Sequence, residues 1–317
     1  NTFADDLRSY GLKRASEFSW ERTAELSLAA FDDAVIRKRH GSLQCAVHGL
    51  LPNKRLAVLS PLPPSRSGIA DYNAQFLPFL SKYFEIDLYV DGYSVGDESL
   101  ISMFRIFDIK DFERVATSYD LILYEIGNSE FHAHMLPLLD KFPGVVNLHD
   151  AYLSGLFGYL DFNLGDTGSY VNAMLESHGP NARHYFSPIK GCPDPNAGSM
   201  VELPCTKTVL DRALGVISHS LFNLKIAHKH YPQGWQAPYR IIPQMVPIQQ
   251  QVTIEKCQAI KEELGLKFDD FVLTTFGHVT WTKWGDRLLE AFLDSSLSDD
   301  AKVHLIFAGQ LAEDDFG

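Results

Sequence analysis

The sequence is short of positive charge: 28 lysines and arginines face 40 aspartates and glutamates, for a net charge of -12. Nucleic acid is thereby excluded as the main ligand, because its binding needs a dense basic face that releases counterions. A local basic site for a small diphosphate stays compatible with this balance. Cysteine is also scarce. Cys45, Cys192, Cys205 and Cys257 are scattered with no C-x-x-C spacing, which points to buried or incidental thiols and excludes a zinc ribbon or a disulfide scaffold. No apolar run reaches the roughly 18 residues of a membrane-spanning helix. The segment from Asn1 to Tyr10, with Asp5 and Asp6, lacks the basic-then-apolar layout of a signal peptide. A cytoplasmic location is expected. What is present is a 317-residue chain, 45% hydrophobic and 21% charged, which is a globular composition and enough length for two domains.

Helical periodicity appears first at Ser19 to Arg39, where Trp20, Ala24, Leu28, Phe31 and Val35 recur on one face behind a potential N-cap at Ser19. The stretch 41–54 has no pattern and reads as a linker. Arg55 to Ser60 is a short apolar run of the kind that forms a strand buried on both faces, and the Pro- and Ser-rich stretch Pro61 to Gly68 cannot continue it. The spacing then predicts a helix at Ile69 to Tyr83 and a strand at Ile86 to Val90. Strand, helix and strand recur at Leu121 to Tyr124, Glu130 to Asp140 and Val145 to Leu148, and again at Gly215 to Ser218, Leu221 to Lys229 and Arg240 to Ile242. This alternation predicts a parallel sheet with helices on both faces, since parallel neighbours need crossovers. The two prolines and polar run of 243–252 suit a hinge. A second α/β unit follows over 253–317, with strands at Phe271 to Gly277 and Val303 to Gly309 around a helix at Asp286 to Leu293. The fold class is thus α/β, two Rossmann-like doubly wound lobes with the first over 55–242 and the second truncated.

Ligands of open parallel sheets sit beyond the carboxyl ends of the strands, so the residues just after each strand carry the chemistry. After the first strand come Arg66, Ser67 and Gly68, leading into a helix with Asp71 and Tyr72. Backbone N–H groups and the helix dipole there favour a phosphate, although an ordinary turn with Gly68 at the helix start reads equally well. Glu125-Ile126-Gly127-Asn128 follows the third strand, and His132 and His134 lie just beyond it. Residues two apart on a helix face away from each other, so that H-x-H pair and the pair His228 and His230 are not expected to hold a metal. His149 and Asp150 end the next strand, where an imidazole can hydrogen-bond a sugar hydroxyl or phosphate; a buried structural histidine is the alternative. His219 stands in the same place one strand later, between Ser218 and Ser220. In the second unit Gly277 and His278 end a strand, and Lys283 precedes a helix, where a point charge suits a leaving diphosphate unless it is simply a solvated lysine.

In order and spacing, SPLPPSRSGIADY (Ser60 to Tyr72), YEIGNSEFHAHML (Tyr124 to Leu136), VVNLHDAYLSGL (Val145 to Leu156), GVISHSLF (Gly215 to Phe222) and FGHVTWTKWGDRLLEAF (Phe276 to Phe292) resemble the retaining family-four glycosyltransferases of the GT-B fold, in the bacterial branch that builds surface polysaccharides such as lipopolysaccharide. The resemblance implies transfer of a sugar from a nucleotide diphosphate sugar to a glycan or lipid-linked acceptor, with retention and with neither metal nor cofactor. It implies donor diphosphate binding by Ser67, Gly68, Gly277, His278 and Lys283, and catalytic roles for His149 and Lys283. It implies acceptor or sugar binding by Arg66, Asp71, Tyr72, Asn128, His132, Asp150 and His219. His278 stands where the family has Arg, and Trp284 where it has Gly. The family's pair of glutamates would fall beyond Gly317, so this stretch alone is expected to be inactive. FSWERTAELSLAAF (Phe18 to Phe31) resembles the closing helix of a donor lobe, which implies that residues 1–40 are the tail of a preceding transferase module in the same parent chain; a helix packing on the first lobe is the alternative. A lipid-linked acceptor implies peripheral contact with the inner face of the plasma membrane. Two other readings of the same fold are a non-catalytic module that binds acceptor or organises assembly, and a nucleotide-sugar isomerase.

Overall fold

The apolar runs fold as strands with few exposed side chains, and the segments between them as helices. The computed structural model describes residues 2–40, 54–186, 198–245, 252–277, 279 and 283–309. The chain divides into two compact units, Asn1–Pro247 and Ile248–Gly317.

The first unit begins with α1 (Thr2–Ala15) and α2 (Trp20–His40), then runs through β1 (Lys54–Leu59), α3 (Gly68–Leu80), β2 (Phe84–Val90), α4 (Glu98–Met103), β3 (Arg105–Asp108), α5 (Phe112–Val115), β4 (Leu121–Ile126), α6 (Met135–Lys141) and β5 (Val145–Leu148). Helices α7 (Ser154–Phe162), α8 (Ser169–His178), α9 (Ser199–Glu202) and α10 (Lys207–Arg212) lead to β6 (Gly215–Ser218), and α11 (Leu221–His230) leads to β7 (Tyr239–Ile241). The strands form one parallel sheet in the order β3-β2-β1-β4-β5-β6-β7, with Leu59 level with Tyr89 on one side and Tyr124 on the other. Chain direction across the sheet reverses between β1 and β4, which makes the crevice above their carboxyl ends the expected ligand position.

Alternate residues of β1 enter opposite cores. Ala57 and Leu59 join Met135, Leu139, Phe157 and Met174, whereas Leu56 and Val58 join Trp20, Phe31, Phe76 and Leu77. The sheet is therefore covered on both faces and doubly wound. Helix α2 supplies much of the second core. Its first turn is capped by Ser19, whose Oγ accepts from the Arg22 N–H at 3.1 Å, and Arg240 reaches Asp33 at 2.9 Å from the far edge of the sheet.

One sequence expectation is corrected. A continuous helix over Glu130 to Asp140 is replaced by a 3-10 turn at Glu130–His132 and then α6 from Met135. Pro137 cannot donate to the carbonyl of Ala133 and its ring crowds that group, so proline fits the first turn of a helix starting at Met135 but not the middle of a longer one. Strand β3 carries no apolar run: Arg105 and Phe107 are exposed, as suits an edge strand with one solvated side.

In the second unit, α12 (Ile254–Glu263) precedes β8 (Phe271–Phe276), α13 (Gly285–Leu293) and β9 (Val303–Ala308), and the two strands pair in parallel from Phe271 against Val303. Gly309 is held close under β8: a Cβ there would lie 1.8 Å from the Gly277 carbonyl oxygen. None of this unit's described apolar side chains is buried. The fold class read from the sequence, parallel α/β with helices on both faces of the main sheet, is the one observed. The hinge expected at 243–252 falls largely on 246–251, outside the described residues, as do His278, Cys45 and Cys192.

Candidate functional site

The carboxyl ends of β4, β5 and β6 bring together residues far apart in sequence. Glu125, the penultimate residue of β4, is fully buried. Its Oε2 accepts from Asn147 Nδ2 at 3.0 Å and from His149 Nε2 at 2.6 Å. A bond that short between imidazole and carboxylate is in the charge-assisted range. His149 is 9% exposed, and its own backbone N–H is tied to the Ile126 carbonyl at 2.9 Å, so both ring and main chain are fixed by β4.

Three rings then close on one another. His149 and His219 lie 4.9 Å apart by centroid, and Tyr72 of α3 is 5.3 Å from the first and 5.1 Å from the second. Tyr72 in turn meets Trp20 of α2 edge-on at 5.3 Å. Burial first, and then the Glu125 carboxylate, push the Tyr72 phenol well above its ordinary value, so the hydroxyl stays protonated and available as a donor. His219 donates its Nδ1–H to the Ile242 carbonyl at 2.9 Å, because a carbonyl can only accept. Burial and the nearby His149 lower its pKa to about 4, leaving a neutral ring with an acceptor at Nε2. Glu125 Oε1, Asn147 Oδ1 and His219 Nε2 are buried with no hydrogen-bond partner among the described residues. This cluster therefore holds three buried acceptor atoms without such a partner inside one polar knot, with the Tyr72 phenol packed beside them.

Asp150 and Asn128 form a second layer. The Asn128 N–H donates to Asp150 Oδ2 at 2.7 Å, and Asn128 Oδ1 accepts from the Leu156 N–H of α7 at 3.0 Å. The second contact needs Gly155, since a Cβ there would sit 3.0 Å from the Asn128 amide. Gly127 is enclosed more tightly: a Cβ would lie 2.6 Å from Ile69 Cδ1, 3.0 Å from His132 Nε2 and 3.1 Å from Asp150 Oδ2.

His132, expected on the acceptor side, is instead fully buried. Its Nδ1–H donates to the Glu125 carbonyl at 2.8 Å, and burial lowers its pKa to about 3. It is a neutral brace behind Gly127, not a surface group. Tyr72, also expected to touch ligand directly, is only 5% exposed and packs between the two histidines and Trp20. Ser67 caps α3, its Oγ accepting from the Ile69 N–H, and the space over Gly68 is open, with nothing within 4 Å of a Cβ built there. Arg66, Gly68 and Asp71 are exposed at this end of the helix. In the second unit Gly277 has φ +107, and Lys283 is exposed beside Trp284, which takes the left-handed conformation at the start of α13.

Sequence reasoning placed His149, Asp150, Asn128 and His219 after strands but passed over Glu125 and Asn147. Both are buried polar residues inside strands with otherwise mostly apolar faces, and such a residue near a carboxyl end is the signal that could have found them.

No family model matches the sequence, and neither does any curated protein. Among solved structures, the chain is similar to an alpha-glucosyltransferase in complex with UDP-glucose and DNA containing an abasic site, at 16% identity over 76% of this chain and 54% of that one, with a TM-score of 0.34. It is also similar to the PH0495 protein from Pyrococcus horikoshii, at 12% identity over 92% of this chain and 76% of that one, with a TM-score of 0.23. The chain thus spans about half the length of the first of these.

Proposed function

We propose that this protein transfers a sugar from a nucleotide diphosphate sugar to a glycan or lipid-linked acceptor, with retention, in polysaccharide biosynthesis. The observation that supports this most directly is the polar knot of Glu125, His149, Asn147, Tyr72 and His219 above the carboxyl ends of the sheet, beside the open start of α3. Hydroxyl-rich ligands are oriented by polar groups held at fixed positions, and the knot fixes His149 and His219 at the carboxyl edge of the sheet. The order and spacing of the five sequence segments support the same reading.

In this reaction the bond from the anomeric carbon to the diphosphate oxygen breaks, and a bond from that carbon to an acceptor hydroxyl oxygen forms. The leaving diphosphate oxygen takes the electron pair of the broken bond and receives the proton that the acceptor hydroxyl gives up. In the first unit the open start of α3 at Ser67 and Gly68 acts on the diphosphate, because fixed positive ends lower the cost of charge that grows in the transition state; in the second unit Lys283 is the candidate cation for the same charge. His149, held by Glu125, orients the reacting sugar. Asn128 and Asp150 bind sugar hydroxyls, and His132 and Tyr72 act through the groups they brace.

The test is a screen, run on the whole natural protein, of UDP-, GDP- and CDP-linked hexoses with candidate glycan acceptors, reading released nucleotide. The expected result is acceptor-dependent release that falls at least about tenfold in Lys283→Ala and His149→Ala, a loss of about 1.4 kcal/mol of transition-state stabilisation. Glycan binding with no nucleotide released from any donor would overturn catalysis in favour of a binding platform.

A further inference from the structure

A second cleft lies at the carboxyl ends of β1, β2 and β4, outside the His149 knot. It has a volume of about 390 Å³ and is lined by Ser65, Asp91, Glu130, Phe131, His134 and Tyr159, together with Pro61 and Tyr93 at its base. That volume is within the range of about 300–1,000 Å³ usual for small-molecule sites. Three neighbouring strands deliver its walls: Pro61 follows β1, Asp91 follows β2, and Glu130 to His134 follow β4. The end of β4 and the segment after it thus serve both places, with Glu125 beside His149 and Phe131 in the cleft.

The walls are built and not incidental. Tyr93 is clamped to the β1–α3 loop, its hydroxyl accepting from the Leu62 N–H at 2.7 Å and donating to the Leu62 carbonyl at 3.0 Å. His134 is 16% exposed, with Nδ1 3.5 Å from Asp91 Oδ2. Burial lowers its pKa against the pull of Asp91, so the ring is neutral. Its Nε2 and Ser65 Oγ have no hydrogen-bond partner among the described residues. The lining contains two carboxylates, Asp91 and Glu130, and neither lysine nor arginine. Phosphates and carboxylates are repelled by such a site, because like charges at close range have no counter-ion to offset them. Rings with hydroxyls on their edges and C–H groups on their faces are matched by it: Phe131, Tyr159 and the prolines offer flat apolar surface, and the carboxylates accept from hydroxyls.

We infer that this cleft binds the neutral saccharide end of the acceptor, and that the two carboxylates select it against phosphorylated or acidic sugars. This rests on the glycosyl-transfer reading for the word acceptor, but not for the binding itself.

The experiment is saturation-transfer NMR and titration of the protein with methyl glycosides of glucose, galactose, mannose and N-acetylglucosamine, with glucose 6-phosphate and glucuronate as acidic counterparts. Neutral glycosides are expected to bind, and Phe131→Ala to weaken them about tenfold. The exposed-site variants Asp91→Asn and Glu130→Gln, combined, are expected to bring the acidic sugars to within about threefold of the neutral ones. Phe131→Ala is read only if its melting curve matches the parent; Phe131→Leu, which keeps apolar bulk but not the flat ring, gives the same reading if it does not. The inference is overturned if no glycoside binds, if acidic sugars bind as well as neutral ones to the parent protein, or if binding is indifferent to residue 131. Nucleotide release in the donor screen with failure of these titrations would sink the cleft alone, whereas glycoside binding without release would sink the catalytic reading alone.

Discussion

Replacing Glu125 tests whether the buried carboxylate holds the site together. In Glu125→Gln the shape is kept, and a single amide oxygen can still accept from Asn147 and His149, which both point at Oε2 in the parent. Two hydrogen bonds to a charged acceptor, worth about 1.5–3 kcal/mol each, become neutral ones worth about 0.5–1.5, a loss of roughly 2–3 kcal/mol in all. Against this, the fully buried carboxylate no longer has to be stripped of water, a relief of several kcal/mol. The two nearly cancel, so Glu125→Gln is expected to change the stability of the first unit by no more than about 1–2 kcal/mol in either direction. Glu125→Ala has no such compensation. It leaves the Asn147 and His149 donors unpaired beside a cavity, and the expected loss is about 3–5 kcal/mol. Urea unfolding followed by circular dichroism compares the two, and the ring proton on His149 Nε2, strongly deshielded by a 2.6 Å bond, reports the contact itself. Equal, small effects of both substitutions would mean that the carboxylate is solvated and the knot does not exist. A ring-proton signal unchanged in Glu125→Ala would refute the pairing directly.

Glycine substitutions separate structural from ligand-facing positions: Gly127→Ala is expected to cost about 1–3 kcal/mol through overpacking against Ile69 and His132, whereas Gly68→Ala should leave melting temperature unchanged or slightly higher and show itself only in donor binding. Acid should weaken the first unit. His132 and His219 have folded pKa values of about 3 and about 4 against an ordinary value near 6.5, so the unfolded chain binds their protons first, and stability present above pH 6.5 is lost as pH falls toward 4. Each contributes about 2 kcal/mol of loss by pH 5. Denaturant titrations at pH 7.5 and 5 measure this, and His219→Gln should remove about 2 kcal/mol of the difference between the two; an undiminished difference would show that His219 titrates normally in the folded state.

The legible part of the molecule was the part dictated locally. Runs such as LILY and GVIS announce strands because a parallel sheet covered on both faces leaves no room for alternation, and the polar residues placed after them converge because the sheet aligns their ends. The region between β5 and β6 was silent, since α7 to α10 are short and lean on each other more than on any periodicity of their own. Within the knot, His149 was visible as a residue but not as a partner: nothing in the order of the chain says that Asn147 and Glu125 stand side by side, a fact created by the pairing of β4 with β5 at Glu125 and Asn147. His132, expected to bind acceptor or sugar, lies buried in the 3-10 turn before α6 with its Nδ1–H on the Glu125 carbonyl, a placement that residue order does not announce.

Helix α2 has a bearing on how this protein can be taken apart. The first strand begins at Lys54, and a dissection guided by strands alone would cut in the patternless stretch before it. That cut would remove Trp20, Ala24, Phe31 and Ala34 from the core, and with Trp20 the ring that Tyr72 leans on. The histidines are only one ring further along, so the foundation of the site extends to residues that no ligand touches. The smallest piece that keeps the site intact is therefore defined by a row of stacked aromatic edges, from Trp20 through Tyr72 to His149, and not by where the sheet starts.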